Sequence, residues 1–552
     1  MRALYTLILL IQLLPFLLKA QAQVASDKAI FSRSDSLRGS LSPLRSCYDI
    51  NFYHLDVKFN LHEKFISGSN QFKFTAVQDF NKLQFDLFAN LQIEKIVYHQ
   101  NSLPFEREGN AVFVTFPRNI KQNTKDQFTV FYSGKPAVAA RAPRDGGFTF
   151  ATDSLGQPFV ATTCEGTGAS IWWPNKDHLS DEVDSMAISI SVPTGLKSVS
   201  NGRLRKVTAL KNGYTRFDWF VVNPINNYNV AANIANYIHI GESYNGEKGK
   251  LSLDYWVLPE HADRAKAQFG KNVKAMLTTY EHWFGPYPFY KDGYKLIETP
   301  YIAMEHQSAI SYGGFMKGAP NNDLNGGKNG GKWDFIIVHE SAHEWFGNNI
   351  TAKDLADLWI HESFASYAES LFIENQYGKQ AGVAYIHDGY KGMSNDKPVV
   401  AVYGVNQLGS GDMYAKGSAV LNMVRTIIND DEKWRKILRG LNSNFYHQTV
   451  TYNQIVDYIS KQSDVNFWPM FDQYLHYKTI PQLEFASKDG QLICRWQADA
   501  KNFSMPVRVK INGGPYQFIS PNITFQPLLM TGATLQNIEV DTLNYYLDVL
   551  KN

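Results

Sequence analysis

Cysteine is scarce. The 552 residues contain only Cys47, Cys164 and Cys494, far apart and without paired spacing, so neither a thiolate metal site nor a disulfide framework is indicated. Buried free thiols are the expectation, and a single bridge would need an oxidising compartment. Net charge is also nearly absent, with 54 lysines and arginines against 52 acidic residues. That balance offers no broad field to recruit nucleic acid or an anionic membrane. No internal repeat is visible, and beyond the first residues no apolar run is long enough to span a bilayer. A lipid-embedded or repeat architecture is therefore not expected, and any charge that matters must be local.

What remains is an ordinary globular composition, 44% hydrophobic and 19% charged, with an aromatic share of 14% that leans toward β-structure or ligand-lined surfaces. The length exceeds what one core usually serves, so two to four domains are expected. The chain opens with Arg2 ahead of an apolar run from Ala3 to Leu18, followed by Ala20-Gln21-Ala22. This is the layout of a secretory signal spanning residues 1–22; a retained membrane anchor is the alternative, for which the run is short and interrupted by Gln12 and Pro15. A secreted or periplasmic protein with no integral span after processing is expected. Residues 23–46 are serine-rich and basic without apolar periodicity, and suggest a linker. From 47 to 240 short alternating segments such as YHLDVKFNL and NQFKFTAV mark an antiparallel β-domain. Residues 241–481 are largely helical after a strand-like LSLDYWVL, with helices expected over His261–Trp283, Trp333–Gly347, Leu358–Tyr377 and Asp412–Asn429. Alternation returns over 482–552. The expected fold is thus multidomain α+β, with N-terminal antiparallel, mixed α/β catalytic and small C-terminal β parts. NNDLNGGKNGG, residues 321–331, is an irregular loop that lacks the closing acid of a calcium site.

The segment WDFIIVHESAHEWFG carries H-E-x-x-H at helical spacing, which sets His339 and His343 one turn apart on one face. Two imidazoles so placed can grip one zinc ion. A catalytic zinc needs a third protein ligand and an open position, and Glu362, separated from His343 by eighteen residues and on a second helix LWIHESFASYAESLF, is the candidate. Glu340 is rotated off the histidine face but can reach the metal's water, as a general base should. Without such partners, two histidines on a helix would be unremarkable surface residues.

HESAHEWFGNNIT followed by LWIHESFASY resembles the gluzincin metallopeptidases, and specifically the aminopeptidase N and leukotriene hydrolase family. The likeness extends to WFGPYPFYKDGYKLIETPYIAMEHQS and SVPTGLKSVSNGRL, and covers most of residues 47–552. It implies a thermolysin-like catalytic domain, one zinc per chain, and peptide substrates with a free amino terminus. Ala303, Met304 and Glu305 in IAMEH stand where that family has its G-x-M-E-N signature, whose glutamate binds the substrate's α-amino group. Ile302 and His306 depart from its glycine and asparagine. Glu165, in ATTCEGTGASIWW, stands where a second acidic contact to the same ammonium is implied. Tyr414, in the Y-x-K-G match Tyr414-Ala415-Lys416-Gly417, would donate to the developing oxyanion, and Asp412 would cap its helix. His361 replaces a family asparagine and suggests packing or a supporting role beside Glu362. Cys164, Glu344 and His387 carry no spacing argument. Members of this family often continue into a large helical domain, whereas β texture runs to Asn552 here.

The residues therefore imply a zinc-dependent aminopeptidase working through an activated water. Alternatives are an endopeptidase or epoxide hydrolase of the same fold, or a catalytically silent zinc-containing peptide-binding protein.

Overall fold

The computed structural model describes residues 31–316 and 333–552. The export signal expected at 1–22, residues 23–30 of the linker and the Gly/Asn-rich loop at 321–331 lie outside the described residues. Residues 31–46, expected as a tether, are instead structured. Helix α1 (Arg33–Gly39) starts with a capping box in which the Ser32 hydroxyl accepts from Asp35 N–H and the Asp35 carboxylate from Ser32 N–H. Helix α2 (Pro43–Ser46) follows with proline in its first turn. Its Arg45 is fully buried, pairs with the buried Asp86 and donates to Arg38 O at 2.5 Å. Asn406 N–H donates to Asp35 O at 3.2 Å, and Gly39 sits so close that a Cβ would meet the Val405 carbonyl carbon at 2.2 Å. Capping and one buried arginine hold this strap, which explains why apolar periodicity gave no sign of it.

Alternating burial along Tyr48–Asn60 and Phe65–Ala76 builds one face of an eight-stranded sheet. Its order is Arg203–Ala209, Tyr214–Val221, Ser185–Pro193, Tyr48–Asn60, Phe65–Ala76, Lys125–Gly134, Leu91–Tyr98, Asn101–Ser102. The sheet is not wholly antiparallel: Tyr48–Asn60 runs parallel to Ser185–Pro193, with Phe52 opposite Ser185 and Lys58 opposite Ser191. Those two strands are far apart in sequence, and alternation alone does not report strand direction. A smaller sheet contains Pro158–Thr163, whose end delivers Cys164 and Glu165.

The catalytic region begins with a hairpin of Ile238–Gly246 and Gly249–Val257, so its first strand starts before residue 241. The sheet continues through Tyr294–Glu298 and Ile310–Tyr312 to Ala303–Met304 at its edge. Around it pack α3 (Ala262–Phe284), α4 (Phe335–Ala342), α5 (Trp359–Tyr377), α6 (Lys379–Gly389) and α7 (Ala415–Ile428). Every residue of α5 from Trp359 to Ile373 is buried, the signature of a helix enclosed on all sides. Helix α4 ends at Ala342 rather than running to Gly347. His343 keeps right-handed geometry as the C-cap (φ −62°, ψ −21°), and Gly347, at φ 131°, turns the chain into Ile350–Ala352. Asp412 is not the cap of α7. It lies in a 3-10 turn, Gly411–Met413, and its carboxylate accepts from Ser394 and Asn395 N–H instead.

The C-terminal β part comprises a four-stranded sheet around Gln482–Lys488 and Gln491–Gln497 and a three-stranded sheet around Val507–Ile511. Leu483, Phe485, Trp496 and Val507 share one continuous core with the catalytic helices. All three cysteines are buried and unpaired by disulfide.

Replacing Arg45 by methionine strands Asp86 as a buried, uncompensated charge. The expected cost is about 3–5 kcal/mol, read as an earlier chemical-denaturation transition; an unchanged midpoint would show that the strap does not anchor the N-terminal domain.

Candidate active site

Helices α4 and α5 bring the predicted triad together. His339 Nε2 and His343 Nε2 lie 3.4 Å apart, and each approaches Glu362 Oε2, at 3.5 and 3.6 Å. All three side chains are buried. A tetrahedral centre with bonds of about 2.0–2.2 Å places its ligand atoms about 3.3–3.6 Å apart, so the triangle has the size that zinc requires.

The hydrogen bonds behind the triangle fix which atoms face inward. His339 Nδ1 lies 2.6 Å from Glu369 Oε1, and His343 Nδ1 lies 3.1 Å from Phe346 O. Each acceptor claims an Nδ1–H, leaving both Nε2 lone pairs pointing at Glu362. Burial would lower His339, but Glu362 and then Glu369 outweigh it and raise it well above its ordinary value, so the metal-free set draws in positive charge, and Glu362 Oε2 has no hydrogen-bond partner among the described residues. A cation is what satisfies such a set. Burial depresses His343 to about 4, favouring the neutral ligand form. Burial would raise Glu362, but His343 and then His339 outweigh it and hold the carboxyl at about 2.

Glu369 escaped the sequence reading. It lies seven residues beyond Glu362, on the same face of α5, and its other oxygen accepts from the Tyr385 hydroxyl. That spacing was the available signal.

Glu340, Glu305 and His343 present ligand-type atoms within 4.8 Å of one another, which puts the expected base beside the triangle. Burial first, then the negative charges of Glu362 and Glu369, push Glu340 up to about 7 despite the opposing His339. Glu305, just past the edge strand Ala303–Met304, is raised well above its ordinary value by burial and by Glu362 and Glu340. Glu165 is raised likewise, by burial and by Glu305, Glu362 and Glu340. One oxygen of each has no partner among the described residues. The Tyr414 ring stacks on His339 with centroids 6.1 Å apart.

The loop bearing Glu305 is held by groups the sequence did not single out for it. Asn348 Nδ2 donates to Glu305 O at 2.9 Å and to Glu344 Oε1 at 3.1 Å. Glu344 also accepts from Ser308 N–H and from the Tyr287 hydroxyl, so its role is to fix the loop. His306, in the place of the family asparagine, turns to Ser311 Oγ at 3.2 Å. Cys164 is a buried thiol whose pKa burial drives up, and His387 packs on Tyr390.

A cavity of about 290 Å³ lined by Glu165, Met304, Glu305, His343 and Glu362 adjoins one of about 800 Å³ lined by Ile302, Phe335, Tyr385 and Lys391. Ala303, His339, Glu340, Tyr414 and Arg144 line both, so His339 and Glu340 stand at the junction while His343 and Glu362 face the smaller compartment.

Known sequences share this layout. The Peptidase M1 N-terminal domain matches residues 49–228 and the Peptidase family M1 domain matches residues 268–474. The chain belongs to the peptidase M1 family. Among curated relatives of this M1 peptidase, aminopeptidase B of Homo sapiens is 26% identical over 272 residues, covering 48% of this chain and 37% of the relative. Aminopeptidase B of Rattus norvegicus is 23% identical over 385 residues, covering 66% and 54%. The chain thus spans about half or less of the length of these two relatives. An M1 zinc metallopeptidase from Deinococcus radiodurans has a similar fold, with a TM-score of 0.64 at 19% identity over 78% of this chain and 94% of that one. A mutant of it bound to a Tyr-Ser-Ala substrate aligns with a TM-score of 0.66.

Replacing Glu369 by glutamine leaves His339 without its anionic acceptor. Metal affinity is expected to fall by about 10–100-fold, measured by chelator competition; an unchanged affinity would show that Glu369 does not set the ligand.

Proposed function

We propose that this M1 peptidase is a zinc-dependent aminopeptidase that removes the first residue of peptides. The observation that carries this is the pair of unpartnered carboxylates, Glu305 and Glu165, set against a triangle of metal-ligand geometry. Four acidic side chains crowd this pocket, and burial with mutual repulsion pushes Glu165, Glu305 and Glu340 toward protonation. Two cations relieve that: a metal on His339, His343 and Glu362, and an ammonium on Glu305 and Glu165.

Geometry then selects the bond. The α-nitrogen and the first peptide carbonyl of a substrate are two bonds apart, and a Glu305 oxygen lies within 4.8 Å of a Glu340 oxygen. An amine held at Glu305 therefore brings the first peptide bond, and no later one, to the base. Ala303–Met304 is an edge strand, with free backbone groups able to pair with an extended substrate. The remainder of the peptide has the larger compartment to occupy.

Zinc bound to His339, His343 and Glu362 supplies Lewis acidity that polarises the carbonyl and acidifies water. Glu340 takes the proton from the attacking water at a carboxylate oxygen and returns it to the leaving nitrogen as the C–N bond breaks. Tyr414, over the His339 ring, donates its hydroxyl to the oxyanion. Support for secretion is the signal-like sequence at 1–22. An exported protein is expected to begin after Ala22.

Acetylating the substrate amine removes two charge-assisted contacts of about 1.5–3 kcal/mol each. kcat/KM should fall by at least about 100-fold; equal turnover of free and acetylated peptides would refute exopeptidase action. Tyr414→Phe should lower kcat about 10²–10³-fold with little change in KM, whereas a loss confined to KM would remove the tyrosine from the oxyanion role.

A further inference from the structure

His361 lies behind the amine pocket and has no task in the mechanism above. It precedes Glu362 on α5, is fully buried, and stacks on Tyr228 with ring centroids 6.3 Å apart and planes inclined by 21°. One of its ligand-type nitrogens lies within 4.8 Å of carboxylate oxygens of both Glu165 and Glu305. As a bare set of side chains, two carboxylates and an imidazole would suit a second divalent cation. A backbone hydrogen bond decides against it.

Ala352 N–H donates to His361 Nε2 at 2.8 Å. That bond consumes the Nε2 lone pair, so the neutral ring carries its proton on Nδ1. Nδ1 is buried and has no partner among the described residues, so it is an N–H donor with no lone pair to offer a metal. The nearby candidate acceptors are the two carboxylates, each with an oxygen that also lacks a partner, although no hydrogen bond joins them to Nδ1 in this structure. Tyr228, itself buried, stacks on the ring.

We propose that His361 is a positioning residue for the substrate amine. Its Nδ1–H donates into the Glu165–Glu305 pair, fixes the rotamers of two mutually repelling carboxylates, and leaves their remaining oxygens turned toward the ammonium. The pocket therefore accepts one cation, the substrate's ammonium, and no second metal. This rests on the aminopeptidase assignment above and adds to it a donor that orders the two acceptors before substrate arrives.

The test compares the wild-type enzyme with His361→Phe, which keeps a ring on Tyr228 and removes the donor, and with His361→Asn, whose amide nitrogen falls near the position of Nδ1. On a free aminoacyl substrate His361→Phe is expected to raise KM about 10-fold with kcat within about 3-fold, at one zinc per chain. His361→Asn should recover most of the KM. Zinc-loaded wild type should also hold a single equivalent after dialysis against excess metal. An unchanged KM in His361→Phe, equal losses in kcat and KM, or a second zinc equivalent that His361→Phe abolishes would each overturn the proposal. If neither variant folds, nitrogen NMR of histidine-labelled wild type decides it: an Nδ1-protonated His361 is expected, and an Nε2-protonated ring contradicts it. Should wild type fail to distinguish free from acetylated peptides, the aminopeptidase assignment fails; should it distinguish them while His361→Phe binds as wild type does, only the role of His361 falls.

Discussion

Two imidazole nitrogens and a carboxylate oxygen, crowded together at the wall of a buried cleft, set the terms for the rest of this molecule. His339 and His343 each turn Nδ1 to an acceptor behind them, Glu369 and the Phe346 carbonyl. Their inward nitrogens and Glu362 Oε2 are left facing one another at 3.4–3.6 Å. Without a cation this arrangement carries a heavy desolvation cost. It persists because both helices that carry it are largely buried, so the side chains have limited room to turn away.

The same electrostatics extends outward in two steps. Glu340 and Glu305 feel Glu362 directly, and Glu165 feels all three. An anionic pocket of this density discriminates by charge before it discriminates by shape. The seam between the two large cores supplies the precision: Met304 and Tyr301 pack with the N-terminal domain, the Tyr301 hydroxyl donates to Thr162 O at 2.7 Å, and Glu165 follows the strand that ends at Thr163. The two carboxylates proposed to bind the amine, Glu165 and Glu305, come from different domains, so the pocket exists only when those domains are docked. The strap of residues 31–46, pinned at Asp86 on one side and Val405–Asn406 on the other, reinforces that docking.

Much of the site could be read in the sequence because its chemistry follows helical period. Residues four apart, His339 and His343, had to share a face, and a carboxylate on the following helix had to close the set. Glu369 was legible by the same rule, seven residues from Glu362, yet a lone glutamate on a core helix gives no reason to look. The strap was not legible, because a capping box and one buried arginine leave no periodic trace. Nor was the parallel pairing of Tyr48–Asn60 with Ser185–Pro193, since alternation reports which face is buried and not which way the neighbour runs. Asp412 looked like a helix cap by type and place, but Ser394 and Asn395 claim its carboxylate. His361 shows the limit most clearly: its tautomer depends on one backbone N–H from Ala352, a contact that only the folded turn creates.

The most direct measurement is an anomalous-scattering map collected at the zinc edge from crystals of the protein purified without added metal. One peak is expected, about 2.0–2.2 Å from His339 Nε2, His343 Nε2 and Glu362 Oε2, with density for a further small ligand. An empty triangle, or a metal bound elsewhere with Glu362 uncoordinated, would contradict the account.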